Sequence, residues 1–171
     1  MKRPRRCTSR GCTTARTLEL TQINGEPQET KTVARVQNLF RATKKRLPME
    51  ELAEVQAVTD AGFEGCAHAR PASKRQVLLV DRETLEAMDL RPGIIRENIT
   101  TDGLNVNSLL IGQLLRIGRA RLEVSAVCTP CDQMEAIRPG LRKELWGRRG
   151  MLCRVLEGGV IRRGDPIEKL S

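Results

Sequence analysis

Between residues 33 and 170 the sequence is cut into short apolar or alternating runs, each closed within a few residues by glycine, proline or a charged cluster. VARVQNLF (33–40) and EVQAVT (54–59) alternate, and VLLV (77–80) is continuously apolar. Further strand-like runs cover 94–101, 109–115 and 120–127, the last two split by a turn at Gly118. The closing segment reads Gly158-Gly159 as a hairpin turn between two β-branched runs, with Gly164-Asp165-Pro166 before a last strand. Only two stretches read as helix. Asp81 is placed to cap RETLEAMDL, with Glu83 at its positive end and Pro92-Gly93 beyond it, and Pro139-Gly140 introduces residues 141–146. Seven or eight short strands with one or two short helices predict a mostly β domain, an antiparallel barrel or sandwich.

Aromatic side chains are nearly absent: Phe40, Phe63 and Trp146, with no tyrosine. The core must therefore be aliphatic, and stacking of bases on aromatic platforms is not available for single-stranded nucleic acid. A chain of 171 residues is long enough for one real core.

The formal net charge of +9 is unevenly placed. Lys2, Arg3, Arg5, Arg6, Arg10 and Arg16 put six positive charges and no acid into the first 16 residues, leaving 24 basic against 21 acidic side chains elsewhere. Residues 1–32 read as a basic, disordered extension and residues 33–171 as the folded domain. Nucleic acid is not the expected partner, since the charge belongs to the extension; an anion- or nucleic-acid-binding module acting through that extension is the alternative. No apolar run approaches the length of a membrane span, and the basic leader has no apolar h-region. Six cysteines without an export signal point to free thiols in a reducing cytoplasm.

The chemistry concentrates at VCTPCD, where Cys128 and Cys131 follow a strand-like run. Cys66, His68, Cys128 and Cys131 together have the inventory of a zinc site. A thioredoxin-type redox pair would need the CxxC to open a helix, and Pro130-Cys131-Asp132 does not read as a helix start. Two half-buried, inert thiols are the third reading. His68, the sole histidine, restricts acid–base chemistry to one residue of that kind. In GIIRENITT (93–101), Arg96, Glu97, Asn98 and two threonines suit a phosphate-bearing heterocycle, with Arg75 adding positive charge.

Five blocks, in order, carry a family resemblance: GFEGCAHA (62–69), RQVLLVD (75–81), GIIRENITTDGL (93–104), LLIGQLLRIGRARLEVSAVCTPCDQM (109–134) and GMLCRVLEGGVIRRGDPIEKL (150–170). Together they resemble the MOSC domains, which are related to the C-terminal part of molybdenum cofactor sulfurase. The resemblance runs from about Val33 to Leu170 and implies a compact β-barrel. It places the family's working thiol at Cys131, the residue that supplies thiolate sulfur to the metal in cofactor-binding members. Cys128 matches a position that is cysteine in only some members. Arg96 and Asn98 resemble the block that holds the pterin phosphate, and Thr129 matches a small hydroxyl residue.

The resemblance implies two roles. One is binding of molybdenum cofactor for reduction of N-hydroxylated compounds with electrons from a partner protein. The other is sulfur carriage as a persulfide, with a donor protein. A soft thiolate suits both, and an adjacent guanidinium or metal favours the thiolate over the thiol. Pyridoxal phosphate is not expected here, because it belongs to the desulfurase domain fused to larger relatives. Homodimerisation is common among small β-domains of this kind. One departure stands out: where most members carry aspartate two residues before the histidine, this chain has Cys66 before His68.

Overall fold

The computed structural model describes residues 33–170. Eleven strands form two sheets. The strands are β1 (Arg35–Ala42), β2 (Met49–Leu52), β3 (Glu54–Val58), β4 (Gly62–Phe63), β5 (Val77–Asp81), β6 (Ile99–Asp102), β7 (Leu114–Ile117), β8 (Ala120–Val127), β9 (Met151–Glu157), β10 (Gly159–Arg162) and β11 (Ile167–Leu170). Three short helices join them: α1 (Arg82–Ala87), α2 (Gln133–Ile137) and α3 (Leu141–Glu144). The large sheet runs β11-β7-β8-β9-β5-β6-β1-β2 and the small one β10-β3-β4.

The fold is mostly β, as the runs predict. The large sheet rolls without closing into a full ladder. A single bridge, Arg35 with Pro166, links β1 to the chain entering β11, reinforced by backbone bonds such as Val36 N to Asp165 O (2.9 Å) and Ile167 N to Ala34 O (2.8 Å). Strand pairing is not wholly antiparallel either, since β5 and β6 run parallel. The chain between them is α1 followed by a loop, a short crossover onto one sheet face.

The continuous apolar run at β5 follows from burial on both faces. Val77 and Leu79 face a core shared with Leu39, Phe63, Leu115, Leu122, Val155 and Ile161. Leu78 and Val80 face a second core with Leu85, Ile95, Cys128, Met134, Leu141 and Leu145, which α1, α2, α3 and the loop before β6 cover. A strand with one wet face would alternate; this one cannot. The arginine-lined cavity lies on the helix-covered side.

Several local expectations are corrected. Residues 94–98 form turns rather than strand, because Gly93 (φ 83°) and Arg96 (φ 69°) are left-handed and the Glu97 carboxylate folds back to accept the Gly93 N–H. The seventh strand begins at Leu114, after a turn at residues 110–113. Gly158-Gly159 is not a hairpin: β9 stays in the large sheet while β10 pairs with β3. Both glycines are needed because a Cβ would stand 2.7 Å from Ala57 O at Gly158 and 2.5 Å from Arg119 O at Gly159. Three helices replace the predicted one or two, the extra one being α2 directly after the CxxC.

The predicted cap of α1 and the predicted start of α3 after Pro139-Gly140 are more faithful. Asp81 accepts the Thr84 N–H at 2.8 Å, and Glu83 sits in the first turn of α1. At α3, Glu135 of α2 accepts the N–H groups of Gly140 (2.8 Å) and Arg142 (3.0 Å), so one short helix caps the next. Residues 1–32, predicted as a separate extension, lie outside the described residues. Among the described residues no helix is long and apolar enough to cross a membrane.

Candidate functional site

β8 carries a register shift between Val124 and Ala126, opposite Cys153 and Leu152 of β9. Such a bulge turns a strand end, and here it aims the segment beyond Val127 across the second core. Cys128 N still bonds Gly150 O at 3.0 Å, which ties the CxxC to the start of β9. The four residues Cys128–Cys131 then lead into α2, whose Met134 is wholly buried. Cys128 is buried and Cys131 is exposed.

Both thiols line a cavity of about 340 Å³ with His68, Arg70, Arg75, Arg96 and Arg149, and Val77, Leu78 and Leu152 of the sheet also border it. Four guanidinium groups and no carboxylate stand on its wall. A basic, carboxylate-free cavity of this size suits a small anionic ligand.

Arg149 is the residue that sequence reasoning missed. It is 93% buried by its relative exposure of 7%, and it donates from Nη1 to Cys128 Sγ (3.1 Å) and to Thr129 O (3.0 Å), and from Nη2 to Ile95 O (3.3 Å). Its Nε has no hydrogen-bond partner. In the sequence it sits in WGRRG, which reads as a solvated charged turn; the only hint is the flanking Gly147 and Gly150, both left-handed in the structure. A Cβ at Gly150 would stand 2.0 Å from Leu79 O, so the backbone must pass against β5 and carries Arg149 inward with it.

Arg96 bridges two loops. Nη1 donates to Leu47 O at 2.6 Å and Nη2 stands 3.2 Å from His68 Nε2. A guanidinium has no acceptor, so Nε2 must accept and the ring proton sits on Nδ1. The Cys66 thiol accepts from Asn98 Nδ2 at 3.8 Å. Burial opposes ionisation of Cys66, but the neighbouring His68 and the backbone at Ala42 and His68 favour the thiolate, outweigh burial and hold the thiol at about 7. At Cys128 burial wins over the Arg149 and Arg75 guanidiniums and pushes the thiol up. Cys153, in the main core, is pushed far up by burial.

The structure brings Cys131, Cys128, His68, Arg96 and Arg75 to one cavity. Asn98 reaches its wall but its amide is committed: Oδ1 accepts the Leu78 N–H at 3.0 Å and Nδ2 donates to Phe40 O at 3.2 Å. Glu97 is fully buried off the cavity; it bonds Gly93 N and Thr100 Oγ1, and burial pushes its carboxyl up. Thr129 serves through its carbonyl, which Arg149 holds. The four zinc-type residues Cys66, His68, Cys128 and Cys131 do not assemble: among the described residues no three His, Cys, Asp or Glu side chains are grouped to hold a metal ion. Cys66 faces the main core, while Cys128 sits in the second.

A rolled β domain with a thiol-bearing, arginine-lined cavity between a sheet and its short helices defines the class. The chain belongs to the MOSC domain family, whose model matches residues 67–168. The fold is similar to that of the YuaD protein from Bacillus subtilis, with a TM-score of 0.68 at 18% identity, covering 80% of this chain and 94% of that one. It is also similar to YiiM from Geobacillus stearothermophilus, with TM-score 0.67, 20% identity and coverage of 81% and 75%. YiiM from Escherichia coli gives TM-score 0.62, 22% identity and coverage of 80% and 70%. No curated protein matches the chain.

Proposed function

We propose that this MOSC domain binds molybdenum cofactor through a thiolate from Cys131, and that Arg96, Arg75 and Arg149 hold the anionic part of the cofactor. The observation that carries the reading is the pairing of an exposed thiol with four guanidinium groups in one carboxylate-free cavity. The residues fit such a group. The cavity is basic, its thiol is soft, and Arg149 Nε is a buried donor without a partner. When bound, the molybdenum centre would supply two-electron oxygen-atom-transfer chemistry, suited to reducing N-hydroxylated compounds with electrons from a donor protein.

The chain's own residues would bind and orient. Arg149 fixes the loop that presents Cys131 by holding Thr129 O and Ile95 O. Arg96, anchored on Leu47 O, offers its guanidinium to a phosphate while keeping His68 Nε2 as an acceptor. Sulfur carriage is the second reading, favoured by the second thiol in the same cavity. There, Cys131 thiolate would attack the outer sulfur of a donor persulfide, forming Cys131 persulfide and releasing the donor thiol.

The test is metal and pterin analysis of protein purified from a cofactor-producing host. Molybdenum and pterin bound to the wild type, lost on Cys131→Ala and kept on Cys128→Ala, is the expected result. Cofactor content equal in Cys131→Ala and wild type would overturn the reading. Persulfide on Cys131 after incubation with a sulfane-sulfur donor, without molybdenum, would favour the second.

A further inference from the structure

A second cavity, of about 570 Å³, adjoins the thiol cavity and shares Arg96 and Gln133 with it. Its character differs. Phe40, Leu47, Pro48, Ile94, Met134 and Ile137 make most of its wall, while Arg46 and Arg91 stand exposed at its rim. No carboxylate lines it, and among the described residues Arg46, Arg91 and Arg96 make no ion pair with one.

The cavity is built into the fold. Gly93 lies against the Phe40 ring, where a Cβ would come within 2.9 Å of Cε1 and would fill the floor. The Glu97 carboxylate, bonded to Gly93 N and Thr100 Oγ1, braces that loop from behind. Arg96 pins the opposite wall through Leu47 O. The third wall is α2, which begins two residues after Cys131, so one short helix borders both the thiol cavity and its apolar neighbour.

We propose that the second cavity is the subsite for the substrate's body. It takes an apolar small molecule bearing one anionic group, whose reacting end passes Arg96 to reach Cys131. The apolar wall supplies burial, and unpaired guanidiniums at the rim select negative charge over a neutral or cationic relative. The proposal rests on Cys131 being the working thiol, and it makes no use of how the cofactor is held.

Two measurements on the full chain test it, with peptide mapping to read Cys131 alone. The first is fluorescence titration with anilinonaphthalenesulfonate against its uncharged analogue phenylnaphthylamine. One saturable site is expected, preferring the anion by at least about fivefold and weakened about tenfold by Ile137→Asp. Arg46→Gln/Arg91→Gln, both at exposed positions, should remove the charge preference even if Ile137→Asp fails to fold. Binding should persist in Cys131→Ala.

The second measurement is the rate of Cys131 alkylation, in which the thiolate displaces iodide from the reagent. An iodoacetamide carrying a naphthalenesulfonate is compared with iodoacetamide itself. The tethered reagent should react at least about fivefold faster in the wild type, and the ratio should fall toward one in Arg46→Gln/Arg91→Gln. A wild-type ratio near one, or equal affinity for the neutral and anionic probes, overturns the proposal. Failure of cofactor capture with the preference intact would remove the cofactor reading and leave this subsite standing.

Discussion

Arg149 Nη1 lies 3.1 Å from Cys128 Sγ and 3.0 Å from Thr129 O, so a single guanidinium organises the first half of the CxxC from beneath. The two cysteines thereby become unlike. Cys128 is clamped and buried, with its thiol pushed up by desolvation, while Cys131 beyond the clamp is left exposed.

That clamp is worth measuring first. Arg149→Met removes three hydrogen bonds and leaves the carbonyls of Thr129 and Ile95 without their donor, so a loss of about 2–4 kcal/mol is expected. Arg149→Lys should not restore it, because one ammonium cannot span both carbonyls as a planar fork does. Urea unfolding with an unchanged m-value reads the effect, and a midpoint equal to wild type would refute the clamp.

Thiol reactivity should follow exposure. Brief treatment of native protein with iodoacetamide at neutral pH, followed by peptide mapping, should label Cys131 well ahead of Cys128 and Cys153. Arg149→Met should leave Cys128 unlabelled, since losing the guanidinium removes a group that favours its thiolate. Labelling of Cys128 before Cys131 in the native wild type would contradict the geometry.

Cys66 gives a pH dependence with a definite sign. Its folded value of about 7 lies below that of an ordinary thiol, so between the two the unfolded chain binds more protons and stability rises with pH. The contribution is present above the unfolded value and is lost as pH falls through 7. Wild type should therefore gain stability relative to Cys66→Ser on going from neutral to mildly alkaline pH. A flat difference between the two unfolding series would show that His68 does not favour the thiolate.

Gly150→Ala tests the close approach that carries Arg149 inward. The residue has φ 95°, and a Cβ would stand 2.0 Å from Leu79 O, so β9 must shift away from β5. A cost of at least about 2–3 kcal/mol is expected, more than the loss of glycine's flexibility could offset. Thermal or urea unfolding of the variant checks it.

Much of the fold is legible in the residues themselves. Alternation marks β1, β3 and β8, Asp81 announces α1, and the unbroken VLLV announces a strand covered on both faces, since each of these signals is local. Cys131, His68, Arg96 and Arg75 are likewise visible as chemistry-bearing types at recognisable places. What the chain alone does not reveal is anything decided by its passing close to a distant segment. Gly158-Gly159 reads as a hairpin because a glycine pair suits a tight turn and a close approach equally well, and only the Ala57 and Arg119 carbonyls distinguish them. Arg149 reads as a surface charge because its partners lie 20, 21 and 54 positions away in sequence. The sequence determined most of the strands, the thiols and the family resemblance; the tertiary structure decided which cysteine is held and which is offered, because burial and a buried guanidinium's partners exist only once the sheet has rolled.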